Sequence, residues 1–181
     1  MIYMFLADGF EEVEALTPLD ILRRAGANVV TVGIGKKVIL GAHKINIESD
    51  IVDGDLSIDA DDIEMVILPG GMPGTLNLDA SAVVHNALDV ASKKNAYIAA
   101  ICAAPSILGK RGFLAGKEAI CYPGFEDKLL DAKISDKKLV VDGKLITAAG
   151  MGVAVDFGLT LVSLLYGENK AAELRRVIIA D

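Results

Sequence analysis

The chain has 181 residues, 52% apolar and 24% charged, a size and composition that fit one domain (residues 1–181) with a substantial core. Its net charge of −7 comes from 25 acidic and 18 basic residues with no basic block, which argues against nucleic acid as a main partner. No apolar run approaches the roughly 18 residues of a membrane helix, and "MIYMFLADGFEE" turns acidic without a basic leader, so no signal peptide is expected and the cytoplasm is the expected compartment.

Residues 2–7, "IYMFLA", form a short apolar run ended by Asp8-Gly9 and read as a buried strand. "EEVEALTPLDILRRAGA" follows with helical spacing, which predicts that Val13, Leu16, Leu19 and Leu22 share a face. Pro18 either kinks that helix or opens its second part, with Thr17 as cap. "NVVTVGI" (28–34) is a second strand, and "KVILGAHKINIES" reads as a hairpin turning near Gly41. "MVILPGG" (65–71) is a strand running into a glycine loop, and 80–94 is a helix with Val83, Ala87 and Val90 along one side. "AYIAAI" is the next strand, "APSILGKRG" a helix, "KEAICY" (117–122) a short strand, and "KLVVDGKLITAAG" a hairpin through Asp142-Gly143. Two helices, "VAVDFGLTLVSLLYG" and "NKAAELRRVII", close the chain. This alternation predicts an α/β fold, one mostly parallel central sheet covered by helices on both faces. In such sheets the site lies at the carboxyl ends of the strands. The loops at 7–9 and 69–74 and the turn at Cys102 are predicted to meet there.

"AAICAAPS" sets Cys102 at a strand-to-helix corner among alanines, the arrangement of a nucleophile elbow. The N–H groups opening the next helix favour thiolate over thiol, so a depressed thiol pKa is expected. A lone cysteine is more often a small buried residue; the corner reverses that preference. "PGGMPG" fits no nucleotide fingerprint, but Gly70 and Gly71 can present N–H groups to an anion. Beside Cys102, the N–H groups of Gly71 and Ala103 would make an oxyanion hole. Glu11 and Glu12 stand at a helix start and read as solvated. Glu14, one position past Val13, is placed to reach the sheet edge near Cys102, where burial would raise its pKa. Two cysteines are too few for a disulfide scaffold. Cys121 reads as core within a strand. With two histidines and no CxxC or HExxH spacing, neither metal nor cofactor is expected. His85 reads as helix surface.

Taken together, "DGFEEVEAL", "LDILRRAGA", "VILPGG", "IAAICAAPSIL", "DGKLITAAG" and "DFGLTLVSLLYG" resemble, in order, segments of the ThiJ/PfpI superfamily. The most similar branch is that of the parkinsonism-associated protein deglycase and its bacterial relatives. The resemblance implies a flavodoxin-like sandwich and a homodimer, with Cys102 as reactive nucleophile and Glu14 as its acidic partner. It implies Gly71 and Ala103 as backbone donors and Arg24 as a pocket arginine beside the cysteine. Two positions depart from the family pattern. Tyr122 stands where relatives often carry a histidine, and a tyrosine with an ordinary pKa of about 10 is a poor proton shuttle. His43 stands in place of a second pocket arginine that some relatives contribute across the dimer. The reading that follows is a cofactor-independent enzyme acting on small 2-oxoaldehydes or their adducts, with methylglyoxal going to lactate. The alternatives are a redox sensor or chaperone that uses Cys102 oxidation, and a peptidase or amidase, which the missing histidine disfavours.

Overall fold

The computed structural model describes residues 1–58 and 61–180. Its centre is a sheet built from β1 (Ile2–Leu6), β2 (Val29–Gly33), β5 (Ile51–Val52), β6 (Met65–Leu68), β7 (Tyr97–Ile101), β10 (Leu139–Asp142) and β11 (Leu145–Ala148). The strand order is β10-β11-β7-β6-β1-β2-β5. All neighbours pair in parallel except β10 with β11, the hairpin through Asp142-Gly143. Every residue of β1 and β6 is buried, as expected of a sheet covered on both faces.

Two apolar layers do the covering. On one face, α1 (Glu12–Arg24), α5 (Ala154–Tyr166) and α6 (Glu168–Val177) bring Leu19, Leu22, Phe157, Leu161 and Leu174 onto Ile2, Met4 and Ile67. On the other, α3 (Ala82–Lys93) and α4 (Pro105–Lys110) bring Val84, Leu88, Ile107 and Leu108 onto Phe5, Val66 and Ile98. The predicted flavodoxin-like α/β architecture is thus the observed one.

Several local expectations need correction. α1 runs unbroken through Pro18, although proline has no N–H to give the carbonyl of Glu14. Its buried stripe is Ala15, Pro18, Leu19 and Leu22, while Val13 is 40% exposed. The stripe is rotated because α5 packs on α1 as the sheet does. A β-carbon at Gly158 would lie 3.0 Å from Pro18 Cα. In α3 the buried residues are Val84, Ala87, Leu88 and Ala91, not Val83 and Val90. The glycine loop at 69–74 runs into a short helix, α2 (Gly74–Asp79), that was not foreseen. The hairpin β3 (Val38–Leu40) with β4 (Asn46–Glu48) forms as predicted, but as a sheet of its own. The strand expected over 117–122 is only β8 (Glu118–Ala119), paired with β9 (Lys133–Ile134). Cys121 lies past its end, yet it is 1% exposed and belongs to the α3/α4 layer.

Candidate active site

β1, β6 and β7 are adjacent, so their carboxyl ends release the loops at 7–9 and 69–74 and the corner at Cys102 side by side. The loops are tied together: Glu11 N–H donates to Gly70 O at 2.9 Å, and Gly74 N–H to Gly9 O at 3.1 Å. A β-carbon on Gly70 would sit 2.6 Å from Cys102 Cβ and 2.6 Å from Glu14 Oε2, so only glycine lets the three segments approach this closely.

Cys102 has φ of 63°, in the left-handed region, which costs a non-glycine residue about 1–2 kcal/mol. Two hydrogen bonds hold it there. Its N–H donates to Ala148 O at 2.8 Å, and its carbonyl accepts from Tyr122 N–H at 2.8 Å. The side chain leaves the sheet on the α1 side, where Glu14 hydrogen-bonds it and the N–H groups of Gly71 and Ala103 point at the sulfur. The N–H groups of Gly71 and Ala103 therefore converge on Cys102 as expected, whereas that of Gly70, also expected to face an anion, donates to Glu14 instead.

Glu14 is 1% exposed. Besides Cys102 it meets two backbone donors, Gly70 N–H at 3.1 Å from Oε2 and Met151 N–H. Burial outweighs these, and the Glu11 charge adds to it, so the carboxyl is raised to about 7. For Cys102 the expectation of a depressed pKa fails. Burial, then the Glu14 carboxylate, push the thiol up to about 12 against the two N–H donors. α4 starts only at Pro105, three residues on and six residues long, too short a helix to offset a buried neighbouring carboxylate. The site therefore sets the Cys102 thiol in contact with a buried carboxyl raised to about 7.

Arg24 is not part of this group within the chain. It lies ten residues along α1 from Glu14, about 15 Å at 1.5 Å per residue, and pairs with Asp20 at 2.6 Å. His43, expected at a position that serves the pocket across a dimer, does not join Cys102 and Glu14 within the chain. On the β3–β4 hairpin, its Nδ1 lies 3.0 Å from Glu12 Oε2 and 3.4 Å from Glu11 Oε2, and the Glu12 hydrogen bond raises its pKa. Glu12 is not solvated as expected. It is 3% exposed and accepts the N–H of His43 at 2.8 Å. Among the described residues, Glu11, Glu12 and His43 are the grouping whose ligand-type atoms lie close enough to hold a cation, and a hydrogen-bonded imidazole between two carboxylates accounts for their positions. Tyr122 does stand at the site, half exposed, with Cδ2 3.4 Å from where a β-carbon of Gly150 would be. Sequence reasoning missed Gly150 and Met151. The available signal was the "AAGMG" stretch ending β11, the strand next to β7.

A free cysteine on a strained strand-to-helix corner, backed by a buried glutamate and two N–H donors, defines an α/β protein of the cysteine-elbow kind. The DJ-1/PfpI family profile matches residues 1–164. The chain belongs to the DJ-1/PfpI family. It is 34% identical over 179 residues to protein dj-1beta of Drosophila melanogaster, covering 97% of this chain and 95% of that protein. It is 31% identical over 166 residues to the glutathione-independent glyoxalase DJR-1.2 of Caenorhabditis elegans, covering 91% and 87%. Against DJ-1 homolog B of Arabidopsis thaliana, 32% identical over 176 residues, it matches 96% of its own length but spans only 40% of the plant protein. The structure of oxidized Toxoplasma gondii DJ-1 superposes with a TM-score of 0.92 at 28% identity, covering 98% of this chain and 97% of that one. Among the described residues no helix is long and apolar enough to cross a membrane.

Proposed function

We propose that the protein is a cysteine-dependent enzyme that converts small 2-oxoaldehydes to 2-hydroxy acids, methylglyoxal to lactate, using its own side chains. The observation that carries this reading is the contact between the Cys102 thiol and the buried Glu14 carboxyl raised to about 7. As Sγ attacks the aldehyde carbon, the thiol proton passes to Glu14 and on to the new alkoxide, giving a hemithioacetal. Gly71 and Ala103 N–H would hold the oxyanion, each such donor being worth about 100- to 1,000-fold in rate. Glu14 then takes a proton from the former aldehyde carbon and returns it to the adjacent carbon, while the hydroxyl proton moves from the oxygen of the first carbon to that of the second. The first carbon is oxidised to a thioester as the second is reduced to an alcohol. Water releases the 2-hydroxy acid and restores the thiol, so no external oxidant or reductant enters. Aldehyde adducts on Cys, Lys or Arg side chains would meet the same groups. The name of the nematode relative, a glutathione-independent glyoxalase, supports the class of reaction. The test is lactate formation from methylglyoxal without glutathione, with Cys102→Ala as control.

A second reading, oxidation of Cys102 as the functional event, is favoured by one observation. The side chain is only partly buried and two N–H donors face its sulfur, where they would stabilise a sulfur oxyacid. A peptidase reading is weaker, since His43 is held by Glu12 and His85 by Asp79 and Arg111, both away from Cys102. A homodimer belongs to the proposal as well, with the exposed Val38, Leu40 and Ile45 of the β3–β4 hairpin as apolar surface to cover.

A further inference from the structure

A groove of ≈ 550 Å³ opens beside the candidate site, walled by Tyr122, Pro123, Met151 and Val153. It takes up none of the chemistry assigned to Cys102 and Glu14. Its walls carry large apolar surfaces in the open: Tyr122 is 51% and Met151 53% exposed. The charged groups along it, Glu126, Asp136, Lys137 and Lys138, balance in sign, and Lys137 is drawn to Glu118 at 3.1 Å. The groove therefore offers apolar contact rather than a net charge.

Three contacts join it to the site. Tyr122 N–H donates to the carbonyl of Cys102 at 2.8 Å. Met151 N–H donates to Glu14. Gly150 lies between, and a β-carbon there would stand 3.4 Å from Tyr122 Cδ2 and 3.8 Å from Glu14 Oε1. The missing side chain of Gly150 thus leaves the tyrosine ring and the glutamate carboxyl facing one space. A substrate carbon engaged at Cys102 and Glu14 has this space as its apolar continuation.

We propose that this groove receives the apolar substituent of the substrate, an aryl or branched alkyl group on the 2-oxoaldehyde, with Tyr122 and Met151 as specificity-determining walls and Gly150 as the opening. The assignment deepens the 2-oxoaldehyde reading and rests on it for the identity of the substrate. It gives Tyr122 a binding task at the position where the family resemblance implies a histidine. One methylene more or less in an apolar pocket separates ligands by roughly 10- to 200-fold; for a larger group in an open groove the lower figure is expected.

The test uses a probe that needs no turnover. In Cys121→Ser protein, Cys102 is alkylated with iodoacetamide and with 2-iodoacetanilide, each rate divided by that of free cysteine with the same reagent. The anilide is expected to be favoured about tenfold, and Gly150→Ala and Met151→Ala to bring the preference close to one. Gly150→Ala should fold, since Gly150 is extended at φ 160° and the added methyl meets only ordinary contacts. No preference in the parent protein, or the same preference in both variants, overturns the proposal. Turnover is then compared as the ratio of kcat/KM for phenylglyoxal to that for methylglyoxal, expected to fall about tenfold in Met151→Ala. A ratio unmoved by Met151→Ala also counts against the groove. An anilide preference lost in the variants, with neither aldehyde turned over, supports the groove and overturns the aldehyde reading alone.

Discussion

Glu14 is the residue on which the proposed chemistry turns. Its folded pKa, about 7, lies above the ordinary 4.5, so the folded protein binds a proton that the unfolded chain releases between those values. Its stabilising contribution is complete below about 4.5 and is lost as pH rises through about 7. A shift of that size corresponds to about 3 kcal/mol. Glu14→Gln should therefore be more stable than the parent protein at pH 8 and show a flatter denaturation midpoint between pH 5 and 8; equal slopes for the two proteins would place the titration elsewhere. On the proposed mechanism the same carboxyl sets cysteine reactivity. Alkylation of Cys102 should rise with pH through a midpoint near 7 as Glu14 becomes a base. In Glu14→Leu that limb should disappear, leaving a partly buried thiol that titrates above the ordinary 9.0. A midpoint that stays near 7 in Glu14→Leu would remove Glu14 from the mechanism. Peroxide should modify Cys102 before Cys121, because Cys102 is partly open and Cys121 is 1% exposed. Peptide mass spectrometry after limited oxidation reads this directly, and Cys121 reacting first would contradict it.

At the scale of elements, the site depends on how closely α1 lies to the sheet and to α5. Gly158 on α5 sets that approach: a β-carbon there would meet Ile21 Cδ1 at 2.9 Å and Pro18 Cα at 3.0 Å. Replacing a helix-interior glycine ordinarily stabilises by about 0.5–1 kcal/mol, but here overpacking should win. Gly158→Val is expected to cost about 1–3 kcal/mol in urea denaturation and to lower activity by shifting Glu14; a more stable, fully active variant would show that the contact is slack. The elements themselves were largely legible. Strand runs such as "MVILPGG" and the Asp142-Gly143 hairpin carry their own punctuation. The helix faces were less so, because α1 packs against α5 as well as the sheet and its stripe turns toward both. α2 was hidden by glycine and proline in "PGGMPGTLNLD", residues that read as a loop although Gly74 starts a helix. The corner at Cys102 was legible, but its electrostatics were not. The sequence shows a helix following the cysteine and gives no measure of how deeply the carboxylate beside it is buried.

For the whole molecule, strand alternation, the glycine loop at 69–74 and the corner at Cys102 pointed to the carboxyl ends of β1, β6 and β7 as the candidate site, and these three strands are neighbours in the sheet. The loop after β11 joins them because β11 returns beside β7, a pairing that one strand's sequence cannot announce. Light scattering at micromolar concentration should give twice the chain mass if the exposed hairpin face is covered by a second copy; the mass of a single chain would contradict the proposed dimer. Cys102 and Glu14 are proposed to turn over a 2-oxoaldehyde unaided, and lactate formation from methylglyoxal is the measurement that decides it. With glutathione absent, the parent protein should form lactate above the buffer rate, faster as pH rises through about 7. Cys102→Ala should form none, and Glu14→Gln should lose about 100- to 10,000-fold. Lactate at the buffer rate from the parent protein, or an undiminished rate from Cys102→Ala, would contradict the account.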